Sequence, residues 1–319
     1  MVDDLSRKLI HAIKEKTPCG MTPVNFLIET LPMQKEAAYR RLRNEIPLTL
    51  SEAGQISRKL NVSLDELVKY KEEDTYKISM AKIVGENMFT GYGKTMQQII
   101  DILKTMQSDP ATIFYSAINR HPYLLLFNYP TLSKFRLYIS NYQLRKEIMP
   151  KTMSDFVVPD YIRELEKSYS STERTFPTHY IWTKNLFASF TGKVQYFSET
   201  GLLSKEEINQ LKDEAHDMLD TLERSLATGK LDNGTPFFVY LSTINIDNNY
   251  IYVKSSNFET CSINVFEINF FFSSDPELCK NMKDWIQSLA KYSVLMSQAG
   301  VVERTDFINR QRDLLQTLK

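Results

Sequence analysis

The 319-residue chain predicts an α+β protein: an all-α N-terminal domain of five short helices, then a larger, mostly helical domain with an antiparallel sheet near its C-terminus. Three observations predict this. Residues 1–70 alternate apolar-periodic runs with strong helix stop and start signals. Residues 205–228 form one long capped periodic segment. Residues 236–271 turn to strand chemistry, "PFFVYLSTINI", "NYIYVKSS" and "CSINVFEINFFF", rich in β-branched and aromatic side chains.

The N-terminal elements follow in order. Leu5, Leu9, Ile10 and Ile13 give residues 3–16 a helical spacing that stops near "TPCG". Thr22 before Pro23 is an N-cap followed by a first-turn proline, and opens a helix through Leu31. Pro32 interrupts the chain, and a third helix covers roughly 35–44. Two capping boxes come next: Thr49 with Glu52 opens a helix over 50–60, and Ser63 with Glu66 opens one over 64–70. The stretch "KYKEEDTYK" has no apolar content beyond tyrosine. It sets the division into a domain at 1–70, a linker at 71–77 and a second domain at 78–319.

In the second domain, Met96, Ile99, Ile100, Ile102, Leu103 and Met106 predict a helix over 96–107. "ATIFYSA" at 111–117 reads as strand or helix equally well. Helices are predicted over 131–144, 156–169 and 176–199. Ser204 and Glu207 cap the 205–228 helix, Ile208, Leu211, Ala215, Met218, Leu222 and Leu226 form its stripe, and Gly229 ends it. "DNN" separates the first two strands of the aromatic block. Two helices close the chain at 275–290 and 303–318, with a short strand "SVLMS" between them.

Composition narrows the function. The 39 basic and 39 acidic residues cancel, so any nucleic-acid affinity comes from a local patch. Three widely spaced cysteines and four scattered histidines suggest neither a disulfide framework nor a zinc site. The start "MVDDLSRK" is not a signal peptide, and no apolar run approaches a membrane span, so the expectation is a cytoplasmic protein with no membrane association.

Catalysis finds no support. "TGYGKT" at 90–95 lacks the first glycine of a phosphate-binding loop, since Met88 stands there, and reads as a turn. His11, His121, His179 and His216 form no catalytic motif, and Asp213 and Asp217 sit on a solvated helix face. The expectation is no enzyme, no cofactor and no metal. The aromatic block of Phe237, Phe238, Tyr240, Tyr250, Tyr252, Phe266, Phe270, Phe271 and Phe272 reads as a sheet packed on helices, with an apolar ligand pocket or a dimer surface as the alternative. Lys291, Ser297, Glu303 and Arg304 read as an internal ion-pair network or, alternatively, an effector site.

The most legible stretch is "AAYRRLRNEIPLTLSEAGQISRKLNVSLDEL", residues 37–67. Residues 33–44 carry Lys35, Arg40, Arg41 and Arg43 against Glu36, while the first 70 residues together hold 11 basic against 9 acidic groups. Positive charge is thus concentrated in one helix. At about 100° per residue, Tyr39, Leu42, Ala38 and Lys35 share one side, and Gln34, Ala37, Arg40, Arg41 and Asn44 the other. A small Ala37 lets the backbone approach base edges, while an arginine bridges guanine O6 and N7 or clamps phosphate. A solvated basic helix is the plain alternative.

The order of elements resembles the Cro and phage-repressor type of helix-turn-helix domain, and "PLTLSEAGQISRKLNVSLDELV" is similar to that family's closing segment. The likeness extends to a set of large bacterial helix-turn-helix proteins through "YPTLSKFRLYI", "FSETGLLSKEE" and "KYSVLMSQAGVVERTDFINR". Gln34 stands where the family usually has a Ser or Thr cap, and Asn44-Glu45 where a glycine-rich corner is common.

The resemblance implies a DNA-binding transcriptional regulator whose third helix enters the major groove of double-stranded DNA. Gln34, Lys35, Ala37, Arg40, Arg41 and Asn44 are then expected to face bases, and Thr22, Arg43 and Arg58 to meet phosphate. One helix reads only a few base pairs, so a homodimer is expected, with the C-terminal domain dimerising or sensing a small-molecule or protein effector. The rival expectation is a protein-interaction module with a degenerate helix-turn-helix.

Overall fold

The computed structural model describes residues 4–18, 20–60, 62, 64, 67, 76–81, 83, 88–144 and 152–318. The capping sequence of Ser63 and Glu66, most of the helix expected over 64–70, Cys19 and most of the expected linker lie outside the described residues. The chain divides into two compact units, Met1–Thr75 and Tyr76–Lys319.

The first unit is all-α, with α1 (Asp4–Lys16), α2 (Pro23–Thr30), α3 (Lys35–Leu42) and α4 (Leu50–Leu60). Their apolar stripes meet in a core of Leu9, Ile13, Phe26, Leu27, Ala38 and Ile56, all essentially out of solvent. The Ser6 hydroxyl accepts the Leu48 N–H at 3.3 Å inside this core, which ties α1 to the α3–α4 connection. The capping box of α4 forms as its sequence predicts: Thr49 N–H donates to Glu52 at 2.8 Å, and Glu52 N–H to the Thr49 hydroxyl at 3.2 Å.

The second unit is α+β. In chain order it contains β1 (Ser79–Met80), α5 (Met88–Met106), β2 (Ile113–Ile118), α6 (Tyr123–Leu126), α7 (Pro130–Leu144), α8 (Asp160–Glu173), β3 (Thr178–Trp182), α9 (Ala188–Glu199) and α10 (Lys205–Thr228). Then come β4 (Phe237–Ser242), β5 (Tyr250–Lys254), β6 (Glu259–Val265), β7 (Asn269–Ser273), α11 (Pro276–Lys291), β8 (Ser293–Leu295) and α12 (Val301–Gln316). The strands form one sheet in the order β1-β7-β6-β5-β2-β3-β4-β8.

The sheet is mixed: the expected antiparallel part near the C-terminus is β5, β6 and β7, and it continues into parallel strands. β2, β3 and β4 run parallel at its centre, with Phe114 opposite Thr178 and Thr178 opposite Phe237; the other pairings are antiparallel. Parallel neighbours need long crossovers, and α6–α8 and α9–α10 supply them. Phe114, Tyr180, Trp182, Phe237 and Val239 pack under α5–α10 and α12 on one face. On the other face Ala117, Ile181, Tyr252 and Cys261 pack under Cys279, Met282 and Ile286 of α11.

Three sequence expectations change here. The helix expected over 176–199 is β3 followed by α9, because "THYIW" occupies a central parallel strand largely buried on both faces and so lacks the alternation of a half-exposed strand. The helix expected over 156–169 starts at Asp160, after Pro159. "TGYGKT" is no turn but lies within α5, which begins at Met88 rather than 96. A Cβ on Gly93 would stand 2.9 Å from the Tyr161 ring and 3.2 Å from Ile162, so the glycine lets α5 and α8 approach closely. The undecided "ATIFYSA" is strand β2.

Candidate nucleic-acid interface

α2, the turn after it and α3 set the geometry. Thr22 caps α2 by accepting the Asn25 N–H at 3.2 Å, and Pro23 occupies the first turn. Val24, Phe26 and Leu27 face inward, so the helix N-terminus is held firmly with its free N–H groups at the surface. Leu31 ends the helix, 2% exposed and donating to the Leu27 carbonyl at 2.8 Å. Gln34 is the N-cap of α3 and makes no side-chain cap bond, so its amide is not committed to its own helix.

α3 ends at Leu42 rather than 44, with Arg43 as its C-cap. Asn44 adopts a left-handed φ of 58°. Its N–H donates to the Arg41 carbonyl at 2.8 Å and the Glu45 N–H to the Arg40 carbonyl at 2.9 Å, which is a Schellman closure. Asn tolerates the left-handed region better than other non-glycine residues, so it serves the corner where the resembled family has glycine.

The face of α3 turned to the core differs from the sequence reading by about one residue's rotation, about 100°. Ala38 is fully buried, while Tyr39 is 41% exposed. The small Ala38 lies in the same buried core as Phe26 and Leu27. The outward face therefore carries Lys35, Glu36, Tyr39, Arg40 and Arg43, with Gln34 also exposed; Ala37, Arg41 and Asn44 are partly buried.

The three arginines have different partners. Arg41 donates to Glu52 at 2.6 Å, with side-chain exposures of 16% and 17%. Arg43 and Arg40 share the exposed Glu45, at 2.6 and 3.7 Å. The Arg43 hydrogen bond, with both guanidinium charges, holds the Glu45 carboxyl below its usual range. Exposed pairs of this kind contribute little to stability and exchange readily for a phosphate. Lys35 and Arg58 are exposed and make no ion pair with the described residues.

Sequence reasoning missed an extension of this surface. Arg7, His11 and Lys14 of α1 line an open groove of about 460 Å³ with Arg43, Leu42 and Asn44. The signal was present: positions 7, 11 and 14 are i, i+4 and i+7 of one helix face.

In the second unit, Ser297 and Arg304 of the group Lys291, Ser297, Glu303 and Arg304 are tied to backbone. The Ser297 hydroxyl accepts the Val239 N–H at 3.1 Å, and Arg304 donates to the Met296 and Ala299 carbonyls at 3.0 and 3.1 Å. Lys291 is exposed at the end of α11. The aromatic block divides: Phe237 and Tyr252 are core, whereas Phe266, Phe271 and Phe272 are exposed. Tyr115, His179 and Phe238 stack in a row across β2, β3 and β4, with ring centroids 5.0 and 4.6 Å apart. Burial lowers the His179 pKa, favouring the neutral ring. Among the described residues no group of His, Cys, Asp or Glu converges as metal ligands, and no helix is long and apolar enough to cross a membrane.

No protein-family profile matches the chain, and neither a curated protein nor a solved structure matches it.

Proposed function

We propose that the chain is a sequence-specific DNA-binding transcriptional regulator acting in the cytoplasm, and that its second unit dimerises or senses an effector. The observation that carries this reading is the outward face of α3. A short helix, held from below by Ala38 and Leu42 and preceded by a firmly capped α2, presents Gln34, Lys35, Tyr39, Arg40 and Arg43 together.

In this reading Arg40 is the base-contacting arginine, with Gln34, Lys35 and Ala37 at the helix start and Asn44 at its far end. Arg41, committed to Glu52, sets the angle between α3 and α4 and reaches DNA only by leaving that pair. Thr22 and the N–H groups of α2 meet a phosphate, as do Arg43 and Arg58. The basic groove along Arg7 and Lys14 extends the phosphate track. Selection of bound sequences from fragmented genomic DNA with the intact chain tests the reading. Enrichment of a motif with two half-sites about one helical turn apart supports it, and recovery of unenriched DNA counts against it.

A second reading has its own observation. Leu50 is 81% and Tyr39 41% exposed, and Glu45 offsets part of the arginine charge. An apolar and aromatic surface of this composition suits a protein partner, which makes the first unit an interaction module. Loss of partner capture on Leu50→Ser with DNA affinity unchanged would favour it.

A further inference from the structure

A pocket of about 210 Å³ opens between α7 and α8, lined by Phe127, Asn128, Pro130, Lys134, Val158, Arg163, Glu166 and Lys167. Three of these side chains are cationic. Lys134, Arg163 and Lys167 make no ion pair with any described residue.

The one acid in the wall is already engaged. Glu166 accepts the Tyr92 hydroxyl at 2.9 Å, the Ser133 hydroxyl at 2.6 Å and the Arg136 guanidinium at 3.4 Å. Arg136 is buried behind it, its guanidinium carbon 4.8 Å from the Tyr123 ring centroid and 5.1 Å from that of Phe127. The pair therefore balances its own charge and leaves the three cations in excess over acids in the pocket wall. Outside the pocket wall, Glu207 and Asp155 lie near enough to Lys134 to favour its charge, while accepting hydrogen bonds from Ser204 and Ser154 and from Thr152. Burial, with repulsion from Arg163, pushes the Lys134 pKa down.

Three convergent cations cost energy unless an anion joins them. A carboxylate supplies one negative charge; a phosphate monoester supplies about two and three acceptor oxygens. The volume corresponds to roughly seven waters, at about 30 Å³ each, which holds a phosphate and a short carbon body. Phe127, Pro130 and Val158 give that body an apolar wall.

We propose that this pocket binds the phosphate group of a small metabolite, with Arg163 and Lys167 of α8 and Lys134 of α7 as its ligands. The site is independent of DNA binding by the first unit, and it does not include the serine, lysine and Glu303–Arg304 group near the C-terminus.

Calorimetry on the intact chain, without DNA and at low ionic strength, tests it with inorganic phosphate and glycerol 3-phosphate as probes. Saturable 1:1 binding is expected, weakened about tenfold or more by Arg163→Gln or Lys134→Gln and unchanged by Arg7→Gln with Arg43→Gln. Arg163 and Lys167 are exposed, so their variants keep the wild-type melting temperature in chloride. Phosphate should also protect Lys134 of the unaltered chain from acylation, a readout that needs no variant. Binding no stronger than that of acetate, binding unchanged in the pocket variants, or binding lost only in the Arg7 and Arg43 variant would each overturn the proposal.

Discussion

Arg41 of α3 and Glu52 of α4 meet at 2.6 Å, and the same carboxylate closes the capping box at Thr49. One acid thus ends the exposed backbone of one helix and fixes the slope of another. Burial alone would raise the Glu52 pKa, but the Arg41 hydrogen bond and the Thr49 N–H outweigh it and hold it below 4.5.

Arg41→Ala is therefore expected to act mainly on stability, costing about 1 kcal/mol for a partly buried pair. Glu52→Ala removes the pair and the cap together and should cost about 2 kcal/mol. Amide hydrogen exchange in α3 and α4 reads both locally. Because the folded pKa of Glu52 is depressed, its contribution is present above pH 4.5 and lost as pH falls through the folded value. Protection factors in α3 and α4 should fall below pH 4.5 in the wild type and change less in Glu52→Gln.

Arg40 and Arg43 separate by the same logic in DNA binding. Arg40→Ala should cost about 1–3 kcal/mol on a selected operator and relax preference at one base position. Arg43→Ala should weaken all sequences alike and lower the salt slope by about one. Glu45→Gln, which frees both arginines, should tighten binding. Equilibrium titrations on operator and random duplex measure all three.

Gly93→Val probes the α5–α8 contact. The new side chain meets Tyr161 and Ile162 at sub-contact distance. Overpacking outweighs the gain in helix propensity and should destabilise the second unit by about 2 kcal/mol. A lower melting temperature for the fluorescence transition of Trp182 and Trp285, both in the second unit, checks it.

The second unit should also show two opposing pH terms. Burial pushes Glu173 up to about 7, against hydrogen bonds from Tyr180 and Tyr169, and burial with Arg120 and Lys193 nearby pushes His121 down to about 3. Folded Glu173 keeps its proton where the unfolded chain loses it, so its term is full below pH 4.5 and is lost as pH rises to about 7. His121 is the reverse: its term is full above pH 6.5 and is lost as pH falls toward about 3. Between pH 4.5 and 6.5 the two nearly cancel. Glu173→Gln should therefore expose a stability that rises with pH across that window, and His121→Phe one that falls. Urea unfolding at several pH values measures the slopes.

Capping and period made the first unit legible. Thr22-Pro23 and Thr49 with Glu52 each fixed a helix start, and the stop at Leu31-Pro32 fixed a turn. What failed was rotation: Tyr39 and Ala38 are neighbours in sequence, and only the space beneath α3 decides which of them faces inward. β3 failed for a different reason, since a central parallel strand lacks the alternation that marks a half-exposed one. The pocket cations Lys134 and Arg163 come together through the fold, and no local pattern announces them.

The most direct test of the central claim is the affinity of the intact chain for random duplex DNA as a function of salt. Measurable binding at low salt is expected, with a steep linear fall of log affinity with log salt and a shallower slope in the Arg40 and Arg43 double variant. No binding at low salt, or an affinity indifferent to salt and to those two arginines, would contradict it.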